Sequence, residues 1–365
     1  MQERLSVVLP TYNERENIEL LLKKLLAIGK EYELEILIVD DDSTDGTPEL
    51  IKEFAQTDQR IRLIRRLGRS GLSSAIKEGL LDSIYDVAIV MDSDGQHEPE
   101  DVIKAFKYLK EHQLDIVAGS RFLSEAKIRG LSQRRTGGSF WANRFSRLSL
   151  NRKYRHLTDY MSGCFVVNLK SCLPYISRVD VNGFKFLYEL LAISRGRFNV
   201  AEVPLTFQPR LHGSSKLDLA ILWDFLISFI HSLLFRILPR RIISFGLVGL
   251  TGATLQLITT QAFMAIFKMP FEIALPYSVL IVVNCNYLLN NLLTFRAQRL
   301  HGFYLLKGLF KFLLVSSLPI VANVGLATAF YKSVAANTFL AQFSGIFVAF
   351  VWNYAASSRF VWNTP

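Results

Sequence analysis

Short apolar runs alternate with amphipathic stretches through the first third of the chain. Five runs have the length of buried strands: Leu5–Leu9, Leu34–Val39, Ile61–Ile64, Val87–Met91 and Ile116–Ala118. Stretches with helical spacing separate them, at Ile18–Ile28, Pro48–Phe54, Ser73–Leu81 and Pro99–Lys110. This alternation is typical of a doubly wound, mostly parallel sheet, so we predict an α/β domain at the start of the chain.

Polar residues follow three of the predicted strands. Pro10–Glu14 follows the first, Asp40–Asp42 the second and Asp92–Asp94 the fourth. Ligands of such sheets bind just beyond the carboxyl ends of the strands. We therefore expect the three clusters to meet on one rim of the domain.

The cluster that begins at Asp92 has the composition of a cation site. Asp92 and Asp94 stand two residues apart, and Gln96 follows closely. Carboxylate and amide oxygens are hard ligands suited to Mg²⁺ or Mn²⁺ bridging a diphosphate. A solvated turn that caps the helix at Pro99 is the alternative for this short motif alone. The cluster Asp40–Asp42 makes the cation site the favoured interpretation. Its adjacent carboxylates repel each other unless a cation or a hydrogen-bond donor faces them.

After residue 241 the chain has the composition of a membrane domain. Four segments contain no charged residue and have the length of about 20 residues that a bilayer span requires: 242–267, 273–295, 312–331 and 334–358. Basic residues precede the first span, separate the second from the third and follow the fourth, whereas the other two loops carry only Lys268 and Lys332. The positive-inside rule then predicts a multi-pass membrane protein with the N-terminal α/β domain and both termini in the cytoplasm.

The membrane segment also repeats itself with a period of 67 residues. The corresponding pairs are Arg240/Lys307, Phe245/Phe312, Val248/Val315, Asn286/Asn353, Tyr287/Tyr354 and Phe295/Trp362. An Asn-Tyr pair followed eight residues later by an aromatic residue is less easily a coincidence than the apolar matches. We predict two duplicated helical hairpins.

Two further stretches have the composition of helices at a membrane surface. Leu217–Leu238 is rich in leucine and aromatic residues and carries few charges, and Gly138–Arg155 mixes aromatic with basic residues. A fifth span is the alternative for the first stretch. The predicted organisation is an α/β domain over 1–216, an interfacial helix and linker over 217–240 and a membrane domain over 241–365.

Net charge and cysteine content narrow the partners and the compartment. The formal charge of +10 suits an anionic partner, such as a nucleic acid, a phospholipid surface or a nucleotide diphosphate. Nucleic acid is disfavoured because the basic residues cluster at the predicted membrane boundary. Cys164, Cys172 and Cys285 are too few and too scattered for a disulfide framework, which is consistent with a reducing cytosolic face.

Short motifs follow one another in a specific order along the first 216 residues. They are Val8–Glu14, Val39–Ser43, Gly71–Ala75, Met91–His97, Gly119–Arg121, Asp159 with Ser162-Gly163, Gly183–Lys185 and Val203–Lys216. In this order and spacing the chain resembles the family 2 glycosyltransferases of the GT-A fold, and within them the dolichol-phosphate mannosyltransferases. Its membrane half resembles the GtrA-like four-helix domain that some of these enzymes carry.

The resemblance implies roles for individual residues. The residues that would line the nucleotide and ribose are Pro10, Tyr12, Glu14, Val39 and Asp41, with Asp92 and Ser93 beside them. The direct metal ligands would be Asp94 and Gln96, with Asp92 at the same metal site. The acceptor phosphate would be bound by Arg121, Arg135 and Ser139, and the diphosphate would be enclosed by Arg210 and Lys216. Alternatives stay open at several of these positions. Tyr12 is otherwise a core aromatic at a strand end, and Arg121 is otherwise the partner of a carboxylate. Arg134 is an alternative to Arg135, and the segment Phe207–Lys216 is otherwise a surface linker.

The same resemblance implies a metal-dependent hexosyltransferase that uses a nucleotide sugar, first of all GDP-mannose, to glycosylate polyprenyl phosphate with inversion. An acceptor phosphate oxygen is already anionic at pH 7, so the reaction requires no protein base. UDP-glucose and UDP-N-acetylglucosamine are alternative donors. Translocation of a lipid-linked sugar by the membrane domain is an alternative activity, since asparagines lie within its spans. The oligomeric state is left open.

Overall fold

The computed structural model describes residues 2–68, 71–128, 143–181, 185–208, 219–234, 236–317 and 350–363 of the chain. Contacts within the chain divide it into two compact units, Met1–Leu233 and Leu234–Pro365. The boundary falls inside the segment 217–240, for which the sequence predicts an interfacial helix and a linker.

A central sheet organises the described part of the first unit. Its strands are β1 (Arg4–Thr11), β2 (Glu33–Asp40), β3 (Ile61–Arg65), β4 (Val87–Val90), β5 (Ile116–Ser120), β7 (Phe165–Asn168) and β8 (Val200–Pro204). They lie in the order β3-β2-β1-β4-β7-β5-β8. Neighbours are parallel except at β7, which runs antiparallel to both β4 and β5. The short strands β6 (Lys127–Ile128) and β9 (Thr206–Phe207) form a separate parallel pair. The predicted mostly parallel α/β sheet is confirmed.

Helices connect these strands. Within the described residues of the first unit they are α1 (Arg15–Ile28), α2 (Thr47–Thr57), α3 (Leu72–Asp82), α4 (Pro99–Glu111), α5 (143–149), α6 (Leu169–Ile176), α7 (Phe186–Ser194) and α8 (Leu219–Leu233). Pro48 and Pro99 stand in the first turns of α2 and α4, where the fixed φ of proline favours a helix start.

Both faces of the sheet are buried. Alternate residues of β1 point to opposite sides, so that Val8 packs in one apolar core with Leu80, whereas Leu9 packs in the other with Phe106. A strand that is buried on both faces consists of an unbroken apolar run rather than an alternating one. This burial fixes the strands rigidly and aligns their carboxyl ends at one edge.

The second unit is helical in its described part. It contains α9 (Arg240–Ile266), α10 (Phe271–Leu289), a π-helical turn (Asn290–Thr294), α11 (303–317), α12 (350–356) and a second π-helical turn (Ser357–Val361). Among the described residues one helix, α9, is long and apolar enough to cross a membrane. The predicted first span corresponds to α9, and the second to α10 with its π-helical turn. Most of the predicted third and fourth spans lies outside the described residues.

Contacts that occur twice support the predicted 67-residue repeat, although most of the second hairpin lies outside the described residues. The two π-helical turns begin at Asn290 and Ser357, which are 67 residues apart. The ring of Phe245 lies 5.5 Å from that of Tyr354, and the equivalent pair, Phe312 and Tyr287, lies 5.6 Å apart. Between the halves, the equivalent residues Phe295 and Trp362 stack on each other with centroids 4.2 Å apart and planes 10° from parallel.

Candidate active site

Backbone and side-chain hydrogen bonds join the three polar clusters at the carboxyl ends of the strands. The amide of Asp41, just after β2, donates to the carbonyl of Thr11 at the end of β1 at 2.9 Å. The hydroxyl of Ser93, just after β4, donates to the carbonyl of Pro10 at 3.0 Å. The clusters therefore lie on one rim, as the sequence predicts.

The turn after β1 is tied to the turn after β2. The amide of Asn13 donates to Ser43 Oγ at 2.8 Å, and the amide of Glu14 donates to Thr47 Oγ1 at 3.2 Å. Asn13 has a φ of 54°, a left-handed conformation that asparagine tolerates better than most residues. These contacts hold the predicted nucleotide residues Tyr12 and Glu14 beside the second cluster.

Each carboxylate of the Asp40–Asp42 cluster has a hydrogen-bond donor. Asp40 Oδ1 accepts from the amide of Ser43 at 3.0 Å, and Asp42 Oδ2 accepts from the amide of Gly68 at 3.3 Å. Asp41 Oδ2 accepts from the amide of Gly71 at 2.8 Å. The expected repulsion among three adjacent carboxylates is thus offset by backbone donors.

Arg66 is a buried cation that the sequence analysis missed. Its Nη1 lies 3.3 Å from Asp41 Oδ1, its Nε lies 3.2 Å from Glu78, and it also donates to Ser74. Its side chain is only 9% exposed. Because its guanidinium joins the end of β2 to the first turns of α3, it fixes the position of Asp41. In the sequence it directly follows Arg65, with Arg62 and Arg69 close by, and such a density of arginines indicates a solvent-exposed surface rather than burial.

The loop after β4 carries the predicted metal ligands and is held in place by β9. Asp94 is buried, and its Oδ1 accepts from the amide of Gln96 at 3.1 Å. The Gln96 side chain donates through Nε2 to the carbonyl of Gln208 at 3.2 Å, and the Gln208 amide donates back to the carbonyl of Gln96 at 2.9 Å. Since the nitrogen of the Gln96 amide is used in this way, Oε1 is the end that would face a cation.

Asp92 lies in a field of positive charge. Burial alone raises the pKa of its carboxyl, but His97, whose Nε2 is 3.6 Å from Oδ2, together with the charges of Lys185 and Arg121, lowers the pKa below its ordinary value. The carboxylate is therefore ionised near neutral pH. A Cβ atom at Gly163 would lie 2.4 Å from Asp92 Oδ2, so any larger residue there would force this carboxylate to move.

The oxygen donors of Asp92, Asp94 and Gln96 have the chemistry that a hard divalent cation requires. In the described part of the chain there is no group of three or more histidine, cysteine, aspartate or glutamate side chains arranged to hold a metal ion. The predicted ligand set contains two carboxylates and one amide, so it does not depend on such a group. Its role as a metal site stays a prediction.

Arg121, which the sequence predicts to bind the acceptor phosphate, pairs with a buried carboxylate. Its Nε and Nη2 donate to the two oxygens of Asp159 at 2.7 and 2.9 Å. Burial lowers the pKa of Arg121, but the hydrogen bonds and charge of Asp159 and the charge of Asp92 raise it on balance. The guanidinium stays charged and lies 5.7 and 5.8 Å from the ring centres of Phe122 and Phe207.

The remaining predicted residues divide into two groups. Pro10 and Val39 stand in β1 and β2, and Ser93 is buried with its hydroxyl on Pro10, so these three shape the rim. Arg135, Ser139, Arg210 and Lys216 lie outside the described residues, and their roles stay predictions.

Comparisons with known proteins agree with the two-part organisation. A family model described as glycosyl transferase family 2 matches residues 6–173, and one described as GtrA/DPMS, transmembrane domain, matches residues 244–362. Dolichol-phosphate mannosyltransferase of Pyrococcus furiosus is 31% identical over 367 residues, which cover 99% of this chain and 100% of that protein. Polyprenol monophosphomannose synthase of Mycolicibacterium smegmatis is 35% identical over 223 residues, which cover 59% of this chain and 82% of that protein.

Among solved structures, a mannosyltransferase from Pyrobaculum calidifontis in complex with GDP-Man and Mn²⁺ matches with a TM-score of 0.45 and 14% identity, covering 100% of this chain and 89% of that one. At that TM-score and identity, the similarity carries no information about the ligands of this chain.

Proposed function

We propose a reaction for this chain from the family to which it belongs, the dolichol-phosphate mannosyltransferases within the family 2 glycosyltransferases. The chain is therefore a glycosyltransferase, and its GtrA/DPMS domain makes it a membrane protein. Its reaction is the transfer of a hexose, mannose from GDP-mannose, to the phosphate of a polyprenyl phosphate with inversion. The observation that carries this proposal is the match to the Pyrococcus furiosus enzyme over the whole length of both chains.

The donor side of the proposed site is the acidic rim. Pro10, Tyr12, Glu14, Val39 and Asp41 line the nucleotide, with Ser93 beside them. Asp92, Asp94 and Gln96 hold a divalent ion, Mg²⁺ or Mn²⁺. When bound, that ion neutralises the charge of the leaving diphosphate. The buried position of Asp94 and the fixed amide of Gln96 support this assignment, because they keep the oxygen donors in place before the donor sugar binds.

The acceptor side is built around Arg121, with Arg135 and Ser139. The acceptor phosphate is anionic at pH 7, so its oxygen attacks the anomeric carbon directly, and the bond to the diphosphate breaks on the opposite face. Arg210 and Lys216 bind the diphosphate as it leaves. Arginine recognises phosphate oxygens with two parallel N–H groups, whereas lysine supplies a compact charge, so this set suits two phosphate groups in one site.

A panel of donors tests the reaction. Purified protein in detergent, given polyprenyl phosphate and Mn²⁺, is expected to form a glycolipid from GDP-mannose and little or none from UDP-glucose or UDP-N-acetylglucosamine. The product is measured by thin-layer chromatography with radiolabelled sugar. If only a UDP-sugar gives product, the transferred sugar is not mannose and the proposed donor is wrong. No product from any donor would contradict the enzyme proposal.

We also propose the membrane arrangement predicted from the sequence. The catalytic domain (1–216), the interfacial segment (217–240) and both termini lie in the cytoplasm, and the membrane domain (241–365) crosses the bilayer four times. The exposed leucines of α8 at 222, 226 and 233, and the contact of its Phe229 with Phe145 of α5 at 5.4 Å, support a surface that faces lipid headgroups.

Cysteine labelling tests this topology. In a chain with Cys285→Ser, a membrane-impermeant maleimide is expected to label Lys268→Cys in intact cells, because the positive-inside rule places that loop outside. His301→Cys is expected to react only after permeabilisation. Both positions are exposed in the structure. The reverse pattern would contradict the proposed orientation.

A further inference from the structure

One side of the Arg121 guanidinium is fully used by Asp159. Nε donates to Oδ2 at 2.7 Å and Nη2 to Oδ1 at 2.9 Å, while the backbone amide of Arg121 also donates to Oδ2, at 3.3 Å. The Asp159 side chain is 0% exposed, so water does not compete for these bonds. Among the described residues, Nη1 of Arg121 has no hydrogen-bond partner. The outer edge of the guanidinium is therefore left for a second oxyanion, in the two-pronged geometry that suits phosphate.

Asp159 is itself positioned by a second carboxylate. Glu202, on β8, accepts from the amide of Asp159 at 2.8 Å, from the amide of Thr158 at 2.8 Å and from the hydroxyl of Thr158 at 2.9 Å. The Thr158 hydroxyl also lies 2.6 Å from the hydroxyl of Ser120, at the end of β5. Because β5 and β8 are paired strands, this network connects the sheet to the backbone that carries Asp159.

Arg121 and Asp92 attract each other. The charge of Asp92 raises the pKa of Arg121, and the charge of Arg121 lowers the pKa of Asp92. Without Asp159, that donor-side carboxylate would be the remaining negative charge that attracts the guanidinium. An arginine drawn toward Asp92 would no longer present its outer edge to the acceptor.

We propose that Asp159 and Glu202 are positioning residues for the acceptor phosphate: Asp159 holds one edge of the Arg121 guanidinium, Glu202 holds Asp159, and the free edge of Arg121 receives the phosphate. This inference rests on the proposed function, since it requires a phosphate acceptor. In this proposal Asp159 and Glu202 act through Arg121 rather than by contacting a substrate. Sequence reading noted Asp159 only as part of a motif and did not single out Glu202.

The test compares acceptor and donor kinetics in the full-length protein. Asp159→Asn is expected to raise the KM for polyprenyl phosphate by about tenfold or more, the loss that follows when a charged hydrogen-bond partner is removed, while the KM for GDP-mannose changes by less than about twofold. Glu202→Gln, which keeps one acceptor oxygen, is expected to change the acceptor KM in the same direction by a smaller factor. Asp159→Glu, which restores the carboxylate, is expected to recover part of the loss.

Asp115→Asn is the matched control. Asp115 also bridges β5 and β8, since its Oδ2 accepts from the amide of Asn199 at 2.7 Å, but it stands at the opposite ends of those strands. It is expected to change both KM values little. Equal changes in donor and acceptor KM for Asp159→Asn, or an acceptor KM unchanged in a folded variant, would overturn the proposal.

A variant that does not fold and a failure of the proposed function are distinguished by separate measurements. If Asp159→Asn does not fold, the milder Glu202→Gln decides, because an acceptor KM equal to that of the unmodified protein in this variant also overturns the proposal. Failure of the proposed function is visible earlier and independently, since the unmodified protein would then transfer no sugar to polyprenyl phosphate.

Discussion

Replacing Asp94 with alanine is expected to lower kcat for sugar transfer by about three orders of magnitude while the protein stays folded, because each group that stabilises developing charge in an enclosed site contributes on that scale. Asp94 is buried at the rim, where it is proposed to supply a carboxylate oxygen to the metal site. The loop itself is expected to persist, since the paired hydrogen bonds between Gln96 and Gln208 do not involve Asp94. Turnover is measured with labelled donor sugar over a range of Mn²⁺ concentrations.

Asp82→Ala is the control for this loss. It removes an aspartate of the same domain that is 48% exposed and pairs with Arg62 at 2.6 Å, close to the amino-terminal ends of the strands. An exposed pair of this kind contributes about 1 kcal/mol or less to stability, so activity is expected to stay near normal. Near-normal turnover of Asp94→Ala would rule out its role at the metal. Loss of activity in Asp82→Ala would show that removing a charge is enough to disturb the enzyme.

Trp362→Ala is expected to destabilise the second unit by about 3–5 kcal/mol, the range found when a large buried aromatic side chain is truncated. Trp362 is only 1% exposed and stacks on Phe295, while the rings of Tyr287 and Phe312 lie 5.6 and 5.8 Å away. Its indole nitrogen donates to Asn291 Oδ1 at 3.0 Å. Truncation removes all of these contacts at the centre of the unit.

Trp352→Ala is the matched control, because that tryptophan belongs to the same helical segment but is 48% exposed. The midpoint of thermal unfolding in detergent is measured for both variants and for the unmodified protein. A large decrease is expected only for Trp362→Ala. Similar midpoints in the two variants would contradict the assignment of the Phe295–Trp362 stack as the core of this unit.

Much of the sheet was predictable because its central strands are buried on both faces. Five apolar runs separated by helical stretches predict β1 to β5, and the predicted ends of these strands lie within two residues of the observed ends. The antiparallel strand β7 was not predicted, although three of its four residues, Phe165–Val167, are apolar. A run of four residues has no periodicity that separates strand from helix, and the direction of a strand depends on partners that are distant in sequence. Its pairing with β4 and β5 is a property of the assembled sheet.

Some residues of the candidate site could also be predicted from the sequence, and others could not. The acidic clusters were predictable because the order of strand and helix determines which strand ends share a rim. The contacts of Arg66 and Glu202 were not predictable, since charged residues are usually solvated and nothing in the neighbouring sequence indicates that these two are partly enclosed. Arg121 was predicted as a phosphate ligand, with pairing to a carboxylate as the alternative. The structure shows the pairing with Asp159, and in the described part of the chain no hydrogen bond uses Nη1 at the opposite edge of the guanidinium.

The matched contacts in the second unit have a consequence for how it unfolds. The Phe295–Trp362 stack takes one ring from each half, and Phe245 and Phe312 each pack on a tyrosine of the other half. Neither half can make these contacts alone. The described parts of the two halves are therefore expected to unfold together rather than one after the other, because the loss of either half exposes the aromatic rings of the other.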